Sequence, residues 1–374
     1  MPSILAPFAS MGDLAPPKKW RWQAYADTPL NRLKGSQEFR LLELQASELS
    51  GPIKCALRTY SFDSAPPAYT ALSYTWGSAD NCNAIELNGV PFTVGYNLWS
   101  YLDEMRSQEQ YQLYWIDAVC INQRNVLERN HQVQNMRQIY SNAASVSIWL
   151  GRLDQSPHCG VGMEFLATGE KAELCTYDQG KGILGLCSRN YWTRVWIIQE
   201  IMLAKECTIY YCNLRANLST LYNLIGEVRD FYTLEHPEGK PQVRLPRLLL
   251  ETPAATIVLT KFMDRFRLGV RKTVPLMRLL EIYRHQMATN ILDKVYALHG
   301  LTPDSEAMEV EYEISPAQLA VKLLCYVCLK FDTRGIDFVE RRKQLMRFGE
   351  MVAQILDVAW SPDDIRMAIT VIDD

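Results

Sequence analysis

The sequence predicts an α/β fold: a parallel sheet with crossover helices, preceded by β-hairpins and followed by a mainly helical C-terminal region. Three observations carry this. Between residues 69 and 151, short apolar runs that close on glycine or on polar residues alternate with segments of helical apolar spacing. Asn88-Gly89, set between alternating residues, marks a hairpin. Beyond Asn213 the apolar spacing is almost wholly helical.

Taken in order, residues 1–37 read as a flexible, proline-containing lead-in, because no basic region precedes its short apolar stretch. EFRLLELQ and IKCALRTYSF, between residues 38 and 62, show partial alternation around a Ser-Gly-Pro break and read as paired strands. YTALSYTWG, Tyr69 to Gly77, is a compact apolar strand, and AIELNGVPFTV is the hairpin. Asn97 to Gln108 places Leu98, Tyr101, Leu102 and Met105 on one helical face. QLYWIDAVC, Gln112 to Cys120, reads as a second buried strand. Asn125 is the cap expected for a helix carrying Val133, Met136, Ile139, Tyr140 and Ala143. SVSIWLG, Ser145 to Gly151, is a third strand.

Residues 152–187 hold glycine and cysteine with weak periodicity and read as an insertion or loop with a short helix. Ser188 to Glu206 then reads as a helix running towards a strand at Cys207 to Tyr211. The expected organisation is a core over 38–212, a helical region over 213–332 packed on it, and a charged, poorly patterned tail over 333–374.

Bulk properties narrow the function. Of 374 residues, 48% are hydrophobic and 22% charged, as in ordinary globular proteins. A formal net charge of -3 and a pI near 6.0 supply no basic field, so a nucleic-acid partner is not expected. The sequence holds no long apolar run of membrane-spanning length, so no membrane partner is expected and a cytoplasmic location follows. Cys120, Cys187, Cys207 and Cys212 lie in or beside apolar runs and read as small hydrophobes. Cys325 and Cys328 form a C-x-x-C within helical spacing, without a second pair or paired histidines, so no metal site is expected. The chain shows neither a G-x-G-x-x-G nor a P-loop.

Three blocks together resemble the fungal heterokaryon-incompatibility (HET) domain family: YTALSYTWG, the long stretch LYWIDAVCINQRNVLERNHQVQNMRQIYSNAASVSIWLG, and RNYWTRVWIIQEIMLA. DKVYALHGL, Asp293 to Leu301, resembles the family's downstream element, with Glu311-Tyr312 where an Asp-Tyr pair is usual. HET domains are in turn similar to Toll/interleukin-receptor (TIR) domains, whose fold is a flavodoxin-like parallel sheet. ALSYTW resembles the first TIR strand motif and DAVCINQRN the segment around its second box. SRNYWTRVWIIQEI resembles the TIR pattern S-x-x-Y-x-x-S-x-W-C-x-x-E, with Trp196 as the tryptophan and Glu200 as the glutamate. Ile197 and Arg194 stand where that pattern has cysteine and a small residue.

The resemblance implies a self/non-self recognition or cell-death module that self-associates, with NAD as a substrate to be cleaved and Glu200 as the catalytic carboxylate. Two other readings stay open: a HET-fold enzyme repurposed for a small molecule of fungal secondary metabolism, and a non-catalytic interaction domain. Each residue carries its own alternatives. Glu200 either stabilises an oxocarbenium-like ribose centre or pairs with Arg194 or Arg129. In parallel sheets ligands bind past the carboxyl ends of the strands, here Trp76-Gly77, Asp117 to Gln123 and Gly151-Arg152. Asp117 there either serves catalysis by binding a ribose hydroxyl or polarising a catalytic group, or caps its turn. Asn122 and Gln123 either read a base or carboxamide or satisfy loop backbone. Arg129 and Arg194 either clamp a pyrophosphate or carboxylate or pair with Glu128, Glu200 or Asp117. Trp76 and Tyr74 are ligand-binding candidates against a core role, with Trp76 placed to stack on a ring. Cys120 is a nucleophile only if His131 reaches it, and otherwise fills the core.

Overall fold

The computed structural model describes residues 25–31, 36–78, 80–152, 158–233, 245–267, 276–302, 308–330 and 338–373. Most of the expected lead-in, 1–24 and 32–35, lies outside the described residues. The chain divides into two compact units, Met1–Thr193 with Glu200–Arg271, and Arg194–Gln199 with Lys272–Asp374.

The first unit is built on one nine-stranded sheet. Its strands are β1 (Glu38–Leu44), β2 (Lys54–Ser61), β3 (Thr70–Tyr74), β4 (Cys82–Leu87), β5 (Val90–Gly95), β6 (Leu113–Trp115), β7 (Ser145–Trp149), β8 (Cys207–Tyr211) and β9 (Leu214–Asn217). The spatial order is β5-β4-β2-β1-β6-β3-β7-β8-β9. Within it β6, β3, β7 and β8 run parallel. In chain order they are the second, first, third and fourth strands of that core, the order of flavodoxin-like doubly wound sheets. β3 is buried at every position, and β7 at all but its first. Parallel strands covered on both faces read as such continuous apolar runs.

The sheet is mixed rather than wholly parallel, because the N-terminal strands join its edge. β1 pairs antiparallel with β2 and with β6, and β9 closes the opposite edge antiparallel to β8. The β4–β5 hairpin forms at the expected place: Asn88 (φ 50°) and Gly89 (φ 78°) both take the left-handed conformation that a tight two-residue hairpin turn needs.

The helices of this unit are α1 (Tyr96–Ser107), α2 (Asp117–Cys120), α3 (Val126–Asn142), α4 (His158–Thr168), α5 (Tyr177–Cys187), α6 (Trp196–Leu203, of which Trp196–Gln199 group with the second unit), α7 (Leu218–Thr233) and α8 (Pro253–Arg267). Asn125 caps α3, its side chain accepting the Glu128 N–H. Two segments differ from expectation. The run from Gln112 to Cys120 is a strand only over Leu113–Trp115, and Asp117–Cys120 is a helical turn, since a short apolar run does not by itself separate strand from helix. The stretch 152–187 holds a helix pair rather than a loop with one short helix. Its glycines let the two backbones touch: a Cβ on Gly182 would lie 2.0 Å from the His158 carbonyl oxygen, and one on Gly162 2.5 Å from Ile183 N. Glycine at the contact positions is what erased the helical signal. The buried Lys261 of α8 finishes α6 by donating to the carbonyls of Ile201 (2.6 Å) and Ala204 (2.9 Å).

The second unit contains α9 (Leu276–Tyr283), α10 (Asp293–His299), α11 (Pro316–Lys330), α12 (Phe338–Ile355) and α13 (Pro362–Asp373). Within the described part of the poorly patterned tail, Phe338–Ile355 and Pro362–Asp373 are helical, and Gly349 of α12 admits Ile365 of α13, whose Cγ2 would lie 2.4 Å from an added Cβ. Tyr312 donates to Asp293 at 2.5 Å, joining the Glu311-Tyr312 pair to the DKVYALHGL element. Among the described residues no helix is long and apolar enough to cross a membrane.

Candidate functional site

Pairing between β3 and β7 ends at Tyr74 and Trp149. Beyond it the chains diverge around a cleft of about 510 Å³, lined among others by Thr75, Asn97, Trp149, Arg152, Arg189 and Tyr191. In a sheet of this strand order, the gap between the first and third parallel strands is where ligands bind.

Asn97, in the first turn of α1, straps the two strand ends together. Its Nδ2 donates to the Thr75 carbonyl at 2.6 Å, and its Oδ1 accepts the Trp149 indole N–H at 2.9 Å. One amide thus spends a donor on one strand and an acceptor on the other. Gly77 (φ +82°) and Gly151 (φ +100°) turn the two loops in the left-handed region, and an added Cβ would lie 3.9 and 3.8 Å from the Asn97 side chain.

Two arginines line the cleft and are held in place by other groups. Arg189 donates through Nη1 to the Leu150 carbonyl at 2.9 Å, and its guanidinium lies 4.8 Å from the Tyr211 ring centroid. Arg152 meets Asp103 at 2.6 Å and Glu104 at 3.7 Å. Asp103 accepts from Arg106 as well, at 2.6 Å. Burial pushes the Asp103 carboxyl up, but its hydrogen bonds from Arg152 and Arg106 outweigh this and hold it below the ordinary 3.8.

Glu200, on α6, is 4% exposed. Its carboxylate accepts the hydroxyl of the fully buried Ser73 of β3, and Ser73 shares a second hydrogen bond of 2.6 Å with the Tyr191 hydroxyl. The carboxylate therefore stands behind the cleft wall, joined to it through Ser73 and Tyr191. Arg194 groups with the second unit, where it bridges to Met287.

On the other side of β3, Trp76, Asp117 and Gln123 come together as their positions past the strand ends suggest. The Trp76 indole donates to Asp117 Oδ2 at 2.9 Å, Ala118 N–H donates to Asp117 Oδ1 at 2.8 Å, and Gln123 Nε2 donates to the Asp117 carbonyl at 2.9 Å. Asn122 is buried, and its backbone N–H donates to Glu128 at 2.7 Å. Glu128 forms a buried ion pair with Arg40 at 2.6 Å, and Arg40 also donates to the Cys120 carbonyl at 3.0 Å. Arg129 occupies the first turn of α3, and neither it nor Arg194 is among the cleft residues. Tyr74 is buried, at 3% exposure.

Cys120 and His131 do not form a nucleophile–base pair. Both ring nitrogens of His131 are engaged elsewhere, Nε2 with the Ser36 carbonyl at 3.1 Å and Nδ1 with Gln132 at 3.2 Å. Burial pushes the Cys120 thiol up to about 12, away from the reactive thiolate. Among the described residues no group of three or more His, Cys, Asp or Glu side chains is placed to hold a metal ion.

Sequence reasoning passed over Asn97, Ser73, Tyr191 and Arg189. Arg152 had a signal, since it follows the glycine that closes the third strand. Asn97 stood at the head of a helix and read only as part of it.

Residues 69–200 match the family described as heterokaryon incompatibility protein (HET). The chain is 26% identical over 383 aligned positions to "Heterokaryon incompatibility protein 6, OR allele" of Neurospora crassa, covering 84% of this chain and 55% of that protein. The chain thus spans about half the length of the curated relative it matches. No solved structure matches it.

Proposed function

We propose that this chain, which carries a HET segment at residues 69–200, acts as a fungal-type self/non-self recognition or cell-death module with a ligand site in the β3/β7 cleft and NAD cleavage as its chemistry. The observation that supports this most is that the two ends of the HET segment meet. β3 begins one residue after its start, Glu200 is its last residue, and Ser73 of β3 donates to Glu200. The flavodoxin-type order of the parallel strands supports the likeness to TIR domains, and that likeness gives the glutamate of WIIQE the catalytic role.

Cleavage breaks the bond between nicotinamide and ribose. Nicotinamide leaves neutral with the bonding pair, water adds to the ribose carbon, and one proton is released. A carboxylate favours the oxocarbenium-like centre on this path. With Glu200 almost wholly buried, its part is to receive the proton through Ser73 and Tyr191, each hydroxyl passing on its own. Self-association of the module belongs to the same proposal, and size-exclusion chromatography of the purified chain tests it.

The decisive assay follows nicotinamide release from NAD. The wild-type chain releases it, Glu200→Gln loses about a hundredfold or more, and Asp117→Ala reports whether the β3/β6 side takes part. No release at high protein concentration sinks NAD cleavage, and undiminished release by Glu200→Gln removes that residue from the chemistry. The burial of Glu200 favours a second reading, a cleft that binds without reacting, and the same assay would then recover NAD intact.

A further inference from the structure

We infer that residues 25–31 form a releasable clasp on the turn at 117–123, so that the closed corner past β6 is opened from the N-terminal side. The inference rests neither on NAD cleavage nor on the β3/β7 cleft.

The clasp stands well before the 69–200 match, yet it touches that segment at the turn after β6. The Tyr25 hydroxyl has one proton and shares it between the carbonyls of Val119 (3.0 Å) and Ile121 (3.2 Å). The Tyr25 ring meets Phe92 of β5 edge-on, with 6.3 Å between centroids, and its centroid lies 4.9 Å from the Arg40 guanidinium. Leu30 is buried, and the Asn31 N–H donates to Glu38 at 2.6 Å, which ties the segment to the start of β1.

Arg40 joins the clasp to the turn. Its Nε donates to the Thr28 carbonyl at 2.6 Å, and its Nη1 to the Cys120 carbonyl at 3.0 Å and to Glu128 at 2.6 Å. Glu128 also accepts the Asn122 N–H at 2.7 Å. One guanidinium, 1% exposed, thus spends donors on the clasp, on the turn and on the carboxylate that holds the far end of the turn.

The clasp is built to come away. Ala26, Asp27, Pro29 and Asn31 are exposed, and within 25–31 only Leu30 is buried. Release therefore gives up little apolar area, and segments of this kind open locally at small free energy. Water takes the place of the Tyr25 hydroxyl and the Thr28 carbonyl, so the groups they leave are solvated rather than stranded. Because coupling is reciprocal, whatever orders the turn tightens the clasp, and whatever draws the clasp away loosens Asp117, Asn122 and Gln123.

Hydrogen exchange of the whole chain, read by mass spectrometry, tests this. The amides of Ala118, Val119, Cys120, Ile121 and Asn122 are all hydrogen-bonded within the turn or to Glu128, so their exchange reports its opening. In the wild type they exchange faster than the amides of β7 and with little dependence on urea. Tyr25→Phe, which keeps the ring and removes the shared proton, speeds them about fivefold. Leu30→Ala acts in the same direction, and thermal melts check that both variants stay folded; where they disagree, Tyr25→Phe decides.

Turn amides that exchange only at the β7 rate and with its urea dependence would overturn the inference, since the segment would then be a fixed part of the core. Exchange in Tyr25→Phe within about twofold of wild type would overturn it as well, since the turn would then hold itself.

Discussion

The two sides of the β3 carboxyl end are built on opposite principles. Towards β6, Trp76, Asp117 and Gln123 satisfy one another, and the loop they form is fixed from beneath by the Arg40–Glu128 pair. Towards β7, the strand ends are bridged by one amide and flanked by two arginines around an open cleft. The first arrangement closes a corner of the sheet, and the second keeps one open. Polar residues at a strand end are therefore not by themselves a site: what matters is whether their hydrogen bonds are spent on each other or arranged around a space.

Substitutions on each side can break or sharpen this contrast. The largest effect is expected at Glu128→Ala, which leaves Arg40 buried without its carboxylate and costs about 3–5 kcal/mol in urea unfolding. Ligand binding in the cleft, measured on the fraction that stays folded, changes little. Ser73→Ala comes next, at about 1–3 kcal/mol, because Glu200 loses a buried donor. Here the cleft also feels the change, since Tyr191 loses the same partner, so ligand affinity and stability fall together. Asn97→Ala costs about 1 kcal/mol, and its distinguishing readout is altered fluorescence of Trp149, whose indole partner is gone. Trp76→Phe removes one half-exposed donor to Asp117 and costs about 0.5–1 kcal/mol with no effect on the cleft.

The smallest expected effect is pH-dependent. Asp103 is held below its ordinary 3.8 when folded, so its contribution is full above that value and is lost as pH falls through it and then through the lower folded value. Urea midpoints taken from about pH 6 down to about pH 3 show this as a decline that Asp103→Asn flattens. An unchanged profile in Asp103→Asn would mean that this carboxylate does not set the acid response.

This contrast also explains how much of the molecule was legible beforehand. Buried parallel strands announce themselves as continuous apolar runs, so β3, β7 and β8 were read close to their observed bounds. The short edge strand β9, LRAN, has no such run and went unread. α4 and α5 were hidden because their contact positions are glycines, which pack well but carry no hydrophobic signal. Of the polar residues past the strand ends, Trp76, Asp117 and Gln123 were readable because they follow strand ends in the chain. Asn97 and Arg189 reach the cleft from a helix start and from the turn after α5, and only the folded sheet brings them to the end of β7. The partner of Glu128 shows the same limit: Arg129 is its neighbour in sequence, yet Arg40, 88 residues away, is its partner in space.

The Ser73–Glu200 hydrogen bond has a consequence for how the chain is born. Its two residues are 127 positions apart, and β3 is the first strand of the parallel core to leave the ribosome. At typical synthesis rates of about 5–20 residues per second, Ser73 waits about 6–25 s for the carboxylate that completes its surroundings. During that interval β3 is an apolar strand with a bare flank, the kind of segment that chaperones cover. Glu200 thus sets the earliest moment at which the surroundings of Ser73 can be completed, whatever it does once the fold is made.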